Sequence, residues 1–368
     1  MQKRAYIWSL PTRVFHWLLV LYILIMVITS DEDSLLHIHS AFGYGIGVLI
    51  LFRIVWGFVG PKYSKFSQWP LSIKEAIEFV TNIFTPKKSY PGHNPAASFV
   101  MLGIIVVAFF TVLTGILTYG VQEGRGVLAF LNSSLFKEME IFEEIHESFF
   151  KLLVLLIFAH VGGVFVDRVL HKEVGTLKSI VTGYKNIDAK SIKLSYFQKL
   201  VAFVFLVASI LIPYISLSYQ TPLNSSIYKP INYEKEHLSF VEECGSCHTL
   251  YPPFLLPTNS WKKLMANLEN HFGDDASLDS DTKDSIESFL VKNSANTSTK
   301  EASVYILKDI KDKTIAISDT LFWKERHAKI DKEIFDSPKV KSKSNCKACH
   351  KSIEKGLIED REIEIPKV

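Results

Sequence analysis

The sequence predicts an all-α protein: a membrane helical bundle of five spans, followed by a small, mostly helical domain. Two observations point to this fold class. Hydrophobic residues make up 48% of the 368 residues, and the mean hydropathy is +0.17. The apolar runs lie before about residue 220, whereas the remainder is rich in Lys, Asp, Asn and Ser. This composition is too apolar for an ordinary soluble protein and fits a membrane protein with a polar appendage.

Five apolar segments are long enough to cross about 30 Å of hydrocarbon, although the first of them is short. They cover residues 14–29, 39–59, 97–119, 146–166 and 200–217. The N-terminus has the basic start of an export signal, but no small-residue cleavage site follows its apolar run. We therefore expect the first segment to be retained as a span.

The distribution of charge between the segments predicts the orientation. The loops 61–94 and 171–199 are rich in lysine, whereas residues 30–36 and the loop after Tyr119 carry several carboxylates. The lysine-rich loops should be cytoplasmic by the positive-inside rule. With the N-terminus inside and five spans, everything after residue 217 is expected on the periplasmic side of a bacterial inner membrane.

The segment 146–160 places two histidines on one strongly apolar stretch, fourteen residues apart. On a helix this spacing brings both side chains to within roughly 40° of one face and separates them by about 21 Å. Polar side chains in a span are costly and usually mark a pathway or a cofactor. A pair of hydrogen-bonded core histidines is the alternative, but further histidines on other apolar segments weigh against it.

All four cysteines of the chain fall in the motifs CGSCH and CKACH, as Cys244, Cys247, Cys346 and Cys349. In such a motif the thiols form thioether bonds to haem, and the histidine that follows, here His248 or His350, is an axial ligand. A zinc site, a redox dithiol or a disulfide would not require that histidine. Haem is attached covalently on the outer side of the bacterial membrane, which agrees with the orientation that the lysines predict.

The second axial ligands of these haems must come from the same polar region. After the linker it contains one methionine, Met265, so at most one haem could have His/Met ligation. The spare histidines are His237, His271 and His327, and two bis-histidine haems are the simplest assignment. His237 lies in the linker and is better explained as a surface histidine. The segment KNSANTSTKEA predicts a flexible spacer between two haem-bearing halves.

The first half of the chain resembles the bacterial cytochrome b561 family, which includes the cytochrome b subunits of nickel-iron hydrogenases. The matching motifs are WSLPTRVFHW, HSAFGYGIGVLILFRIVWGFVG, YPGHNPAASFVM and EEIHESFFKLLVLLIFAHVGGV, in the family's order. They cover nearly all of residues 5–187. The resemblance implies a four-helix bundle that holds two b-type haems, each bound by two histidines from different helices. Its ligands correspond to His16, His39, His146 and His160.

The sequence leaves one choice among these ligands open and predicts how the ligands pair. His37 competes with His39, although the family motif begins at His39 and Gly43 would leave room for a porphyrin edge on the same helix face. The pairing of the ligands follows from depth, because both ligands of one iron must lie at one level of the membrane. The predicted topology then pairs His39 with His146 for an outer haem, and His16 with His160 for an inner one.

The tail resembles small periplasmic dihaem cytochromes c over most of residues 240–365. The match is carried by CGSCHTLYPPFLLPTNSWKKLMANLENHFGDDASLD and by CKACH with the trailing EKGLIED. It implies bis-histidine haems with His271 and His327 as distal ligands, without showing which serves which haem. The predicted domains are a b561-like domain over 1–198, a fifth helix over 199–219, a linker over 220–239 and a dihaem cytochrome c domain over 240–368.

The expected function is electron transfer between the quinone pool and a periplasmic cytochrome or redox enzyme, through two b haems and two c haems. As an activity this would be a quinol:cytochrome c-type oxidoreductase. Residues 220–368 hold 22 basic and 24 acidic side chains. Because these charges nearly cancel, this region has no strong positive electrostatic field that would attract nucleic acid. The alternatives are a subunit that relays electrons from a periplasmic hydrogenase-type enzyme to quinone, and a reductase of a small molecule at an open haem.

Three further polar residues lie near the predicted inner side of the bundle. His93 and His171 are candidate proton acceptors for a quinone, with interfacial histidines as the simpler interpretation. Arg53 lies near the inner end of its helix, where a guanidinium could bind a haem propionate bidentately. A positive-inside anchor explains Arg53 equally well.

Overall fold

The computed structural model describes residues 4–84, 90–139, 141–309 and 314–367. Residues 85–89 of the predicted inner loop and residue 140 of the predicted outer loop lie outside this description. The chain is helical almost throughout, so the all-α prediction is confirmed. It divides into two compact units, unit 1 with Met1–Thr118 and Ile141–Ser225, and unit 2 with Tyr119–Glu140 and Ser226–Val368.

Among the described residues, five helices are long and apolar enough to span a membrane. They are α1 (Leu10–Thr29), α2 (Leu36–Val59), α4 (Pro95–Val121), α6 (Ile141–Leu170) and α8 (Tyr196–Ser218). Each extends a few residues beyond its apolar segment. Helix α1 can begin before its apolar segment because Pro11 lies in the first helical turn, where its missing N–H leaves no hydrogen bond unmade.

Short elements lie between these spans. They are the helices α3 (Ile73–Thr81), α5 (Ser134–Met139) and α7 (Thr176–Thr182), and the strands β1 (Ala5–Tyr6) and β2 (Tyr184–Lys185). The two strands pair antiparallel, with Ala5 opposite Lys185. This pairing holds the start of the chain against the segment that follows α6.

Helix α2 carries the largest share of the core of unit 1. Its side chains Leu49, Ile50, Phe52 and Trp56 are at most 1% exposed and pack against α1 and α8. The indole Nε1 of Trp56 donates a hydrogen bond of 3.1 Å to Thr12 Oγ1. This bond fixes the end of α2 level with the start of α1.

The fifth span, α8, packs closely on the other helices of unit 1. Gln198 Nε2 donates to the carbonyl of Val59 at 2.8 Å, and Tyr22 Oη donates to the carbonyl of Ser209 at 3.0 Å. A Cβ added at Gly45 would lie 2.7 Å from the Pro213 ring, so only glycine allows this approach of α2 and α8. Helix α8 is therefore an integral part of the bundle.

Unit 2 contains seven short helices among its residues after 226 that the structure describes. They are α9 (Tyr233–Glu236), α10 (Leu238–Cys244), α11 (Thr258–Met265), α12 (Ser280–Lys292), α13 (Glu301–Asp309), α14 (Leu321–Arg326) and α15 (Lys332–Asp336). Met265 is 2% exposed and packs with Phe240 and Trp261 in the core of this unit. Its side chain therefore contributes to packing.

The predicted flexible spacer around Asn296 is wrong, because this segment is packed against α11. Ser294 and Ala295 are fully buried, and the amide of Ala295 donates to the carbonyl of Leu256 at 3.0 Å. Asn296 Oδ1 accepts the amide hydrogen of Thr258 at 2.9 Å, at the first residue of α11. Small polar residues thus serve here to satisfy a helix end, a role that composition does not distinguish from flexibility.

The segment 119–140 also belongs to unit 2. The amide of Ile227 donates to the carbonyl of Gly124 at 2.9 Å, and Tyr228 Oη donates to Asn132 Oδ1 at 3.1 Å. Arg125 forms an ion pair with Glu359, and both side chains are largely buried. These contacts join residues that are more than ninety positions apart in the sequence.

Candidate haem sites

The structure brings eight of the chain's histidines together in four pairs, two in each unit. The ring centres are 6.5 Å apart for His16 and His160, 6.4 Å for His39 and His146, 6.1 Å for His248 and His271, and 6.0 Å for His327 and His350. In the part of the chain that the structure describes, the two rings of a pair are not hydrogen-bonded to each other.

These distances test whether the pairs fit a haem. A metal–imidazole bond is about 2 Å long, and a ring nitrogen lies about 1 Å from the ring centre, so two axial imidazoles have centres about 6 Å apart. All four pairs have this separation. The residues present therefore fit bis-histidine ligation of iron, and that each pair holds a haem is taken up below as a proposal.

The pair of His39 on α2 and His146 on α6, called the outer pair from its predicted depth, has hydrogen-bonded Nδ1 atoms. His39 Nδ1 lies 3.1 Å from Thr29 Oγ1. His146 Nδ1 lies 3.0 Å from the carbonyl of Thr111 and 3.2 Å from Thr114 Oγ1. A hydrogen bond at Nδ1 orients the ring and leaves Nε2 free for a metal. Thr29 and Thr114 were not predicted from the sequence, where each is only a polar side chain on an apolar span.

The structure separates His39 from its competitor His37. The side chain of His37 is exposed, whereas His39 faces His146. A Cβ added at Gly43 would contact one described atom within 4 Å, Met26 Cε at 3.7 Å. These observations favour His39 as the ligand.

The pair of His16 on α1 and His160 on α6 is called the inner pair. His16 Nδ1 is buried and has no hydrogen-bond partner among the described residues, and the Trp17 ring lies 5.1 Å from the imidazole. His146 and His160 both lie on α6, so the two pairs are about 21 Å apart along its axis. The two pairs are the same ones that the depth argument predicts.

In unit 2, His248 of the first cysteine motif faces His271. His248 Nδ1 lies 2.7 Å from the carbonyl of Thr249, and its ring stacks on Tyr251 at 4.8 Å. His271 begins a tight turn in which Phe272 and Gly273 have φ of 56° and 104°. Positive φ at both central residues is the geometry of a mirror-image β-turn, which Gly273 allows.

The second cysteine motif supplies His350, which faces His327 at the end of α14. The His327 ring stacks on Trp323 at 4.3 Å, and its Nδ1 lies 2.8 Å from the carbonyl of Trp323. Burial, together with His327, lowers the pKa of His350 to about 4, so this imidazole is neutral at physiological pH. The structure therefore pairs His327 with the second motif and His271 with the first, a question that the sequence left open.

The cysteines of unit 2 differ from those of a reactive dithiol. Burial raises the pKa of Cys244 and of Cys346 to about 11. Redox-active and metal-binding cysteines instead have a lowered thiol pKa, because the thiolate is the reactive form. Burial of Cys244 and Cys346 therefore weighs against a reactive dithiol at these two positions.

Two further histidines have contacts of another kind. His237 Nδ1 accepts the amide hydrogen of Phe240 at 3.1 Å as the N-cap of α10, and its Nε2 lies 3.0 Å from Ser285 Oγ. His171 Nδ1 lies 3.1 Å from Asp167 Oδ1. Neither histidine faces another imidazole, so the structure places both outside the four pairs.

Comparison with known families covers both halves of the chain. Residues 7–183 match the model of prokaryotic cytochrome b561, and residues 240–358 match that of dihaem cytochrome c. This chain joins a cytochrome b561 domain to a dihaem cytochrome c domain. Its five long apolar helices indicate a multi-pass membrane protein, and both matched families are cytochromes.

Individual relatives of the cytochrome b561 domain are hydrogenase subunits. The probable Ni/Fe-hydrogenase 1 B-type cytochrome subunit of Escherichia coli strain K12 is 28% identical over 150 residues, which are 34% of this chain and 64% of that protein. The corresponding subunit of Rhodobacter capsulatus is 29% identical over 152 residues, 33% of this chain and 57% of its own. The chain thus spans less than two thirds of the length of these relatives.

Solved structures of dihaem cytochromes c match the other domain. One from Shewanella baltica OS155 is 37% identical, and the match covers 35% of this chain and 91% of that one, with a TM-score of 0.29. Another from Rhodobacter sphaeroides is 40% identical, and the match covers 33% of this chain and 95% of that one, with a TM-score of 0.27.

The cytochrome b561 domain contains a close approach that offers a test of the outer pair. A Cβ added at Gly115 would lie 2.8 Å from His146 Cε1. We expect Gly115→Ala to displace this imidazole and to shift the spectrum and the midpoint potential of one b haem. Low-temperature optical spectra and a redox titration would measure the change.

Gly103 on the same helix is the matched control. A Cβ there would meet only the flexible end of Leu156, at 3.4 Å. Gly103→Ala should therefore leave both b haems as they are in the wild type. Equal spectra for Gly115→Ala and the wild type would contradict the position of His146.

Proposed function

We propose that this protein passes electrons between the quinone pool and a periplasmic acceptor through two b haems and two c haems. The cytochrome b561 domain holds two haems in the membrane, and the cytochrome c domain extends the path outward. Quinol oxidation is the favoured direction, because the cytochrome c domain provides an exit toward soluble acceptors.

The observation that carries this proposal is the set of four facing histidine pairs with ring centres 6.0 to 6.5 Å apart. An iron with two protein ligands has no open position for a substrate, and such haems transfer electrons. The pairing therefore supports electron transfer over a reaction at the iron.

Bound haem supplies a reversible one-electron couple, and the protein sets its ligation, orientation and surroundings. In the outer b site, His39 and His146 would be the ligands, held by the hydrogen bonds of their Nδ1 atoms. In the inner b site the ligands would be His16 and His160. In the c sites the cysteines would hold the porphyrin, while the stacked rings of Tyr251 and Trp323 fix His248 and His327.

The proposed location is a bacterial inner membrane, with the N-terminus in the cytoplasm and the cytochrome c domain in the periplasm. Lysines of the segments 61–94 and 171–199 and carboxylates of the segment 30–36 support this orientation. Covalent haem attachment, which takes place outside the cytoplasm, supports it independently.

A second candidate function follows from the relatives, which are hydrogenase B-type cytochrome subunits. In that case a separate periplasmic redox enzyme would deliver electrons to the cytochrome c domain, and the b haems would pass them to quinone. The same four proposed haem sites could transfer electrons in either direction, to quinone or from quinol. Reduction of the c haems by a candidate donor, followed by electron transfer to a quinone analogue, would favour this function over quinol oxidation.

A redox titration of the purified protein, combined with reduction by a quinol analogue, tests the proposal. We expect four haems per chain and reduction of the b haems by quinol, followed by the c haems. The reduced protein should bind no carbon monoxide, because all four irons are closed. Fewer than four haems, or a carbon monoxide adduct in the wild type, would overturn the assignment and favour a reductase with an open haem.

The predicted domain boundary leads to a further test. Residues 220–368, produced with an export signal and haem-attachment machinery, should be soluble and should retain two covalent haems. This fragment loses the bond from Tyr228 to Asn132 and the ion pair of Glu359 with Arg125, and a lost hydrogen bond costs about 0.5–1.5 kcal/mol. We therefore expect it to unfold at a lower temperature than the same unit in the whole protein, as followed by haem absorption. Recovery of fewer than two haems from matured fragment would count against the boundary.

A further inference from the structure

Unit 1 contains a group of buried polar side chains that are not among the predicted axial ligands. Arg53, Trp69 and Lys185 are 5%, 6% and 4% exposed. Arg53 Nη1, Trp69 Nε1 and His93 Nδ1 are buried and have no hydrogen-bond partner among the described residues. We call Arg53, Trp69, His93 and Lys185 the buried basic cluster.

These side chains are in contact with one another. The Arg53 guanidinium lies over the Trp69 ring at 4.9 Å, and the His93 ring is 5.0 Å from Trp69 and 4.9 Å from Trp8. Lys185 Nζ donates to the carbonyl of Gly92 at 3.0 Å. Burial, with the neighbouring charges of Arg53 and Lys185, lowers the pKa of His93 to about 3, so His93 is neutral.

The charges within this cluster do not balance. Burying an unpaired cation costs several kcal/mol. Asp167 lies near Lys185, but no carboxylate of the described residues lies within ion-pair distance of Arg53. The segments 1–3 and 85–89, MQK and TPKKS, contain no Asp or Glu in the sequence. The missing counter-charge therefore points to a bound anion.

The cluster lies at the level of the inner histidine pair. The hydrogen bond from Trp56 to Thr12 sets the two helix ends level. From there Arg53 is three residues into the membrane along α2, about 4.5 Å, and His16 is four residues along α1, about 6 Å. Arg53 and His16 thus both lie about one helical turn from this bond, and His160 contributes to the lowered pKa of His93.

We propose that the buried basic cluster receives the propionate carboxylates of the haem held by His16 and His160. The inference rests on the proposed function, because it requires a haem at the inner pair. Arg53 is the main donor, since its planar fork matches a carboxylate bidentately. Its near-complete burial distinguishes this role from that of an interfacial positive-inside anchor, which would be exposed.

The test compares Arg53→Gln with Arg4→Gln. Arg4 is an exposed arginine of the same unit whose guanidinium lies over the Tyr184 ring at 4.3 Å, so it controls for loss of a cation and of a ring contact. A nearby cation favours the reduced, less positive haem. We expect Arg53→Gln to lower the midpoint potential of the inner b haem and to leave the outer one unchanged, and Arg4→Gln to change neither.

Redox-induced infrared difference spectra provide a direct readout of the carboxylate. With haem labelled by ¹³C at its propionates, Arg53→Gln should shift the labelled carboxylate bands, whereas Arg4→Gln should leave them in place. Arg53→Lys keeps the charge and removes the fork, so it should shift the bands with a smaller change in potential. If Arg53→Gln loses the haem or fails to fold, the bands and the potential are read in Arg53→Lys.

The outcomes distinguish a failure of the proposed function from a failure of the propionate site. A wild-type protein without an inner b haem would overturn the proposed function itself. With the haem present, unchanged bands and potential in the arginine variants would overturn only the propionate site. If a quinone ring occupied the cluster instead, Arg53→Gln would weaken the binding of a quinol analogue while the haem bands and the potential stayed as in the wild type.

Discussion

We expect His16→Ala and His160→Ala each to remove or perturb the same b haem and to leave the second b haem intact. The two rings face each other at 6.5 Å, and a bis-histidine site lacks half of its axial ligation when either ring is removed. His39→Ala and His146→Ala should likewise affect the other haem. Low-temperature optical or magnetic resonance spectra of the four single variants would measure this.

Double variants within a pair make the test stricter. His16→Ala combined with His160→Ala should be little worse than either change alone, because the first substitution already breaks the site. His16→Ala combined with His146→Ala should instead affect both b haems. His37→Ala is the control and should change neither, since this side chain is exposed. Damage to one and the same haem by His16→Ala and His146→Ala would contradict the pairing and the topology from which it was predicted.

The second large effect concerns the distal histidines of the cytochrome c domain. We expect His271→Ala and His327→Ala to open one c haem each, so that the reduced protein binds carbon monoxide at that haem. Both haems should stay attached, because the thioether bonds do not depend on the distal ligand. Mass spectrometry of the intact chain and carbon monoxide difference spectra would report attachment and ligation separately.

The two distal variants should affect different haems, since His271 faces His248 and His327 faces His350. Their carbon monoxide spectra should therefore add in the double variant. His237→Ala is the matched control, because this histidine caps α10 and bonds to Ser285 without facing another imidazole. If His237→Ala opened a haem while His327→Ala did not, the distal assignment of the second motif would be wrong.

Local pattern in the sequence was sufficient to predict the fold class, the five spans and the nature of the cofactors. Long apolar runs require helices in a membrane, where every backbone group must be bonded within its own segment. The CxxCH motifs specify covalent haem because both thiols and the proximal histidine are neighbours in sequence. The pairing of the four histidines of unit 1 was also predicted from the sequence, by combining helix rise with the expected membrane orientation.

Features that join distant segments could be decided only by the tertiary structure. In the tertiary structure His39 faces His146 while His37 is exposed, His271 faces His248 of the first cysteine motif, and His327 faces His350 of the second. Distal ligands lie far from their motifs in the sequence, and no local periodicity states which loop will face which haem. The contacts of the threonines that bond to the outer pair could not be predicted either, because a polar residue on an apolar span has many possible partners.

Composition alone gave the wrong prediction for the spacer around Asn296, since small polar residues serve both flexible segments and helix caps. Similarly, the sequence left Arg53 equally consistent with an interfacial anchor and a carboxylate ligand. Its burial beside Trp69 and His93 depends on how α2 packs against segments that follow it in the chain. The sequence by itself thus determined the fold class and the types of chemical group that the protein carries. The tertiary structure decided which of them meet, because packing between distant segments sets those contacts.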